Sequence, residues 1–357
     1  MYIQSLQSLR GIFALFIFFH HFSFSGEGVG VFLAGGDCGV SFFFILSGFV
    51  LSVAYLGRNS VSFGVPVSKT ETSKKAPKSI GHFGTFMIKR FSKIYPLHIL
   101  CLFLAIALKG FEITLPDVAN ALLLQAWVPL SEWYFSGNSV GWCLSDFLFF
   151  YALFPLLAHS YNRYRRYFVW VFCVIVVLYG LLIVPFIPNR LVDGIIYICP
   201  LTRLLDFVLG MVLFGLCNCH TVNPFKVYAV GLLSLLVLGV TLFMYYMMPS
   251  RYGLSLLWWP SMALIIFYGA KSNSKILTNK VLVWFGDISF SFYMVHVLVI
   301  KYFNLFTLKI GMSFSPFMRM LTVLVLAIVV AFVLHRYFVL PVERLIRKKL
   351  CDRRSRL

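Results

Sequence analysis

The sequence predicts an all-α, polytopic transmembrane helical bundle of about ten spans plus one re-entrant or interfacial helix. Three observations carry this. Hydrophobic residues make up 60% of the 357-residue chain and charged residues only 12%, too few to cover a water-facing surface of that size. Apolar stretches long enough for a bilayer recur along the chain. Basic residues collect in alternate connections between them, the pattern of cytoplasmic loops. The formal net charge of +19 is therefore read as topology. Nucleic acid is not an expected partner, and the lipid bilayer is.

With about 20 apolar residues per crossing as the ruler, spans fall near 9–26, 39–57, 94–110, 142–160, 167–186, 195–217, 226–247, 253–270, 281–303 and 317–340. No cleavable signal is evident, so the first run reads as a retained helix. Arg58, Lys69, Lys74, Lys75, Lys78, Lys89, Arg90 and Lys93 face a single acid, Glu71, in the connection after the second span. Arg163, Arg165 and Arg166, the lysines of 271–280, and the tail "RLIRKKLCDRRSRL" are the other basic stretches. All four fall on one side if both termini are cytoplasmic, which reads as a multi-pass membrane protein. Residues 117–130, "DVANALLLQAWVPL", are too short to span, and a crossing there would invert every later loop. They read as the re-entrant helix, tolerated where it is buried in protein or lines a cavity.

Residues 1–343 read as one transmembrane domain, with 58–84 a flexible basic cytoplasmic loop and 344–357 a basic cytoplasmic tail. No internal repeat or second soluble domain is seen, so the bundle must contain the activity. Cys101, Cys173 and Cys199 lie in apolar stretches and read as small apolar residues. "CNCH", Cys217 to His220, lacks the paired spacing of a zinc site, and no metal is expected.

Several polar groups are costly where they stand. Arg10 and His21 are 11 residues apart, so on a helix they share a face, offset by about 20° and separated by about 16 Å. His20 is turned about 100° from that face. A snorkelling arginine explains Arg10 alone, but a histidine that deep usually serves a site and is suited to proton transfer. Gly39, Ser47 and Gly48 of "GVSFFFILSGFVLS" suit close helix packing. Lys89, Arg90 and Lys93 of "KRFSKIYPLHI" cluster just before an apolar span, with Pro96 in its first turn. They fit topological anchoring and equally a phosphate-bearing ligand. Asp146 in "GWCLSDFLFFYALFP" needs a partner, and a histidine is a natural one. Arg203 and Asp206 of "RLLDFVLG" are spaced to form an ion pair. Ser289, Tyr293 and His296 share a late helix in "FGDISFSFYMVH", where His296 reads first as a satisfied interior histidine.

Together with "SLRGIFALFIFFHH", these blocks resemble, in order, those of the acyltransferase-3 family of integral membrane acyltransferases, in particular stand-alone bacterial polysaccharide O-acetyltransferases. The resemblance implies a role for an arginine and a histidine separated by ten residues, which Arg10 and His21 match. It implies acyl-CoA handling by the basic pair at Arg90 and Lys93, with Lys89 beside it. The activity implied is transfer of acetyl from cytoplasmic acetyl-CoA, a co-substrate with no bound cofactor, to a hydroxyl of a polysaccharide or lipid-linked glycan such as lipopolysaccharide O-antigen. His21, Arg10 and Asp146 would be catalytic. Trp142, Ser145, Arg203, Asp206, Tyr293 and His296 would support substrate or structure.

The chain departs from the family pattern in places. Aligned on Trp142 and Pro155, the usual glutamate position is Phe147 and the acid is displaced to Asp146. The usual aspartate of the second block is Ser41. The chain leaves no room for the esterase-like domain that many members carry. Two other readings remain. A proton-coupled transporter would use the His and Asp groups as a relay, but predicts inverted repeats. A catalytically impaired family member would explain the displaced acid.

Overall fold

The computed structural model describes residues 3–23, 34–57, 83–219, 223–247, 256–272 and 274–354. Most of the loop expected to be flexible, His220 and the last three residues of the basic tail lie outside them, as do Arg58, Lys69, Glu71, Lys74, Lys75 and Lys78. Among the described residues the chain is largely helical, with no strand. The helices are α1 (Gln4–Ser23), α2 (Cys38–Leu56), α3 (Phe83–Leu108), α4 (Leu115–Ala121), α5 (Ser131–Tyr134), α6 (Trp142–Arg163), α7 (Arg165–Leu182), α8 (Pro200–Cys219), α9 (Pro224–Met247), α10 (Trp259–Lys271), α11 (Lys280–Ile310), α12 (Pro316–Leu334) and α13 (Leu340–Arg354).

Among the described residues, eight helical stretches are long and apolar enough to cross a membrane by length and composition. The chain is therefore an all-α polytopic protein. The other two expected spans are also helices. α1 has 20 residues, among them Arg10 and the histidines. α10 has 13 described residues.

Two stretches differ from the sequence reading. α3 begins at Phe83, so Lys89, Arg90 and Lys93 lie inside the helix and Pro96 in its interior. Lysine and arginine are good helix formers, and no breaker stands between Gly84 and Pro96. Residues 117–130 form no single helix. α4 ends at Ala121, and Leu123 takes a left-handed conformation with φ of 57°. A 3-10 turn at Gln125–Trp127 and then α5 follow.

α2 and α11 are buried over most of their length, whereas α7, α9 and α12 carry exposed apolar faces (Trp170, Val174, Leu232, Leu236, Val325 and others) that suit lipid contact. Two seams organise the interior. α1 lies along α11, where Gly286 packs on the backbone carbonyl of Gln7 and a Cβ at Gly11 would stand 2.8 Å from the Phe285 ring. α2 lies along α8, where Gly48 faces the Phe207 carbonyl and Gly210 the Ile45 carbonyl. Any side chain at Gly48 or Gly210 would push these backbones apart. Gly39 packs likewise on Ile17 of α1.

Gln7 meets Asp287 and His21 meets His296, so α1 and α11 run parallel. α11 is capped by the Asn279 side chain at its start and by Gly311, at φ of 67°, at its end. After a π-helical turn at His335–Val339, α13 folds against α3. The starts of α1 and α3 and the start of α13 thus gather at one end of the bundle.

Candidate active site

α1 is unbroken from Gln4 to Ser23, so Arg10 and His21 keep the shared face that their spacing implies. Around Arg10 the structure assembles a basic cluster. Arg10 donates to Gln7 Oε1 at 3.5 Å, and Gln7 Nε2 donates to Asp287 Oδ1 at 2.8 Å. Exposed Lys93 lies within electrostatic reach of Arg10, Arg90, Glu343 and Arg347. Arg90 is held between the rings of Phe86 and Tyr151, 5.4 and 5.6 Å from their centroids. Lys89, one residue earlier, is exposed. The α13 residues here were missed in the sequence, where they read only as a basic tail. Glu343 and Arg347 pair at 2.5 Å, one helical turn apart, and that spacing was the available signal.

Three turns deeper, His21 is half-buried and His296 fully buried. His296 Nε2 lies 3.0 Å from His21 Nδ1. The neighbours settle the protons. His296 Nδ1 is 2.6 Å from the carbonyl oxygen of Tyr293 and 3.3 Å from that of Phe292, both acceptors only. It must therefore carry hydrogen, which leaves Nε2 of the neutral ring as an acceptor. His21 Nδ1 is 3.0 Å from the Ile17 carbonyl, so it too carries hydrogen and donates to both Ile17 and His296. A neutral His21 then keeps its lone pair on Nε2, the arrangement a general base requires. His20, expected off this face, is buried with its ring edge-on to His21 at 5.4 Å.

Asp146 does not join this pair. It is fully buried, neither carboxylate oxygen makes a hydrogen bond, and its charged neighbours are Arg203 and Asp206. The ring of Phe147, at the usual glutamate position, packs edge-on against Phe44 at 5.0 Å. One residue is about 100° of helix, which turns the acid toward α8 and away from α1. The histidine partner that His21 does have is on α11.

The remaining site candidates fall into that α8 layer or beside it. Arg203 pairs with Asp206 at 3.0 Å, donates to Ser41 Oγ at 3.0 Å, and lies over the rings of Phe44 and Tyr197 at 5.0 and 5.3 Å. Trp259 Nε1 donates to Asp206. Trp142 packs against Tyr197, with centroids 5.2 Å apart. Ser145 donates to the Leu123 carbonyl at 2.6 Å and holds the break in the re-entrant segment. Tyr293 bridges the two regions by donating to the Val140 carbonyl at 3.0 Å. Ser289 donates back to Gly286 within α11. Cys217 is core.

All of this arrangement but its α13 residues falls within a known domain. A family model, Acyl_transf_3, described as an acyltransferase domain, matches residues 3–336. The chain belongs to the acyltransferase-3 family. It is also similar to the protein named "Acyltransferase MdmB" from Streptomyces mycarofaciens, 29% identical over 336 residues, covering 84% of this chain and 79% of that protein. No solved structure matches it. As a member of this family with membrane-length apolar helices, the chain is a membrane acyltransferase.

Proposed function

We propose that this acyltransferase is an O-acetyltransferase that moves acetyl from acetyl-CoA to a hydroxyl of a cell-surface glycan such as O-antigen. The observation that carries the reading is the geometry of α1. It holds a basic cluster at one end and a histidine with a free Nε2 lone pair about 16 Å deeper on the same face. Arg10, Arg90, Lys93 and Lys89 would hold the phosphates of CoA, since guanidinium and ammonium groups suit that charge. The gathering of α1, α3 and α13 at that end fits a cytoplasmic face carrying both termini in a bacterial inner membrane, and the long pantetheine arm would carry the thioester toward His21.

In the chemical step His21 Nε2 takes the proton of the attacking hydroxyl. Its oxygen bonds to the acetyl carbonyl carbon, the C–S bond breaks, and the leaving thiolate takes the proton back from His21. His296 accepts from His21 Nδ1–H, fixes the ring and stabilises the imidazolium, the part expected of Asp146. The same proton balance serves transfer through an intermediate carrier.

The test is NMR of isolated envelope polysaccharide from cells with and without the gene, and from cells carrying His21→Ala or Asp146→Asn. An acetyl signal that needs the gene, disappears with His21→Ala and survives Asp146→Asn is expected. Acetylation retained by His21→Ala at wild-type membrane abundance would sink the mechanism. No gene-dependent acetylation on any envelope glycan would remove the acceptor class.

A further inference from the structure

Basic side chains at one end of the bundle converge more than topology requires. Lys93 on α3 lies within electrostatic reach of Arg10 on α1, of Arg90 on its own helix, and of both Glu343 and Arg347 on α13. His335, in the π-helical turn that leads into α13, lies within reach of Lys93, of Glu343, and of Asp287 on α11. Four cationic side chains from three helices thus share two acids, Glu343 and Asp287. The positive-inside rule places basic residues on one face of the membrane, but it does not bring them together. Like charges held close repel, so the cluster favours an anion.

Glu343 already acts as one. It pairs with Arg347 at 2.5 Å, one turn further along α13, and the same carboxylate faces Lys93 and His335. Its side chain is only 14% exposed, whereas that of Arg347 is 45% exposed. A partly exposed pair of this spacing adds little to the stability of a helix, so it is easily exchanged. The cluster is also open to an anion arriving from water. Lys89, Lys93, Asp287 and Arg347 are all exposed, and no cavity has to form. α13 packs on α3 and on the π-helical turn before it, and it lies beyond the residues 3–336 that the family model matches. The family assignment therefore gives Glu343 and Arg347 no role.

A phosphate offers the guanidinium the same paired acceptor oxygens as a carboxylate. The two anions repel each other at one set of cations, so binding of one expels the other. We propose that α13 is a counter-ion latch on the donor site: Glu343 occupies the cluster while it is empty, and an incoming diphosphate displaces it and takes Arg347 as an additional ligand. This deepens the acetyl-CoA reading and rests on it for the identity of the ligand. Glu343 and Arg347 then act on donor binding with opposite signs, although they form one ion pair.

The test is calorimetric titration of the full chain in nanodiscs with CoA and, separately, with inorganic pyrophosphate. The variants are Glu343→Gln, Arg347→Gln and the two together. Glu343→Gln should bind CoA about two- to fivefold more tightly, the scale of one partly exposed charge pair. A gain in affinity cannot come from misfolding. Arg347→Gln should bind CoA about tenfold more weakly, as expected for one lost charge-assisted contact. In the Arg347→Gln background the gain from Glu343→Gln should shrink, because no guanidinium is left at that position for Glu343 to withhold. Weaker binding by both single variants would make the pair a brace of α13 and overturn the latch. Equal CoA binding by all four proteins would also overturn it and leave the donor reading intact. Pyrophosphate binding that follows the opposite-sign pattern, with no binding of CoA, would keep the latch and sink the acetyl-CoA reading. A wild-type chain that binds neither probe would overturn both.

Discussion

The α1–α11 seam and the α2–α8 seam are built alike and end in opposite states. Each brings two helices together over glycines that touch the opposite backbone. Each buries charge-bearing side chains in an apolar bundle. At the α2–α8 seam Arg203 is fully buried, paired with Asp206, bonded to Ser41 and flanked by two aromatic faces, although its Nε has no hydrogen-bond partner. At the α1–α11 seam His21 is only half-buried, and its Nδ1 is committed while its Nε2 keeps a lone pair. A fully buried ion pair, closed off from any ligand, holds helices together. A half-buried imidazole with a lone pair is placed to react.

Four substitutions break or sharpen that contrast. The largest effect is expected from Arg203→Met, which leaves Asp206 and Asp146 buried without a counter-charge at a cost of about 3–5 kcal/mol. Membrane abundance and detergent melting temperature should fall together. A well-folded variant that has merely lost turnover would move this layer into the chemistry. His21→Ala should do the reverse, lowering kcat by about 10²–10⁴-fold with a much smaller fall in melting temperature than Arg203→Met.

His296→Leu should cost about 10–100-fold in kcat, the range for a group that orients another. His296→Gln, whose side-chain oxygen can accept from His21 Nδ1–H, should recover part of it. Equal losses in the two variants would argue that His296 only packs.

The smallest effect lies outside the spans. Burial raises the Asp117 carboxyl, but the Thr114 hydroxyl and backbone N–H, at 2.7 and 3.1 Å, and Lys109 at 3.3 Å outweigh it and hold it below its ordinary 3.8. A lowered folded-state value means that its stabilisation is present above that ordinary value and is lost as pH falls through the folded one. Asp117→Asn should lower stability by about 1 kcal/mol near neutrality, the scale of a lost helix cap. Melting curves of variant and wild type should converge below pH 3.8. Parallel curves at all pH values would show that the carboxylate charge contributes nothing there.

Much of this was legible in the chain. Composition and run length are local properties, so the helical membrane class and the positions of most helices followed from them. The Arg10–His21 face followed too, because both residues sit on one helix and helical geometry needs no partner. The three-part break of the re-entrant segment was not legible, since it depends on Leu123 being held by Ser145 of α6. The helical start of α3 was hidden by its basic residues, which signal topology more strongly than conformation.

By itself, then, the sequence determined the class of molecule, its helices, and the one face that pairs a cation with a histidine. Only the tertiary structure decided which groups meet. It turned Asp146 toward Arg203, brought His296 from 275 residues away to within 3.0 Å of His21, and folded α13 against the basic start of α3. The physical reason is that a helix specifies the direction of each side chain to within its own axis, whereas the partner it faces is set by how whole helices pack. In this chain that packing is set by where glycines let one backbone approach another.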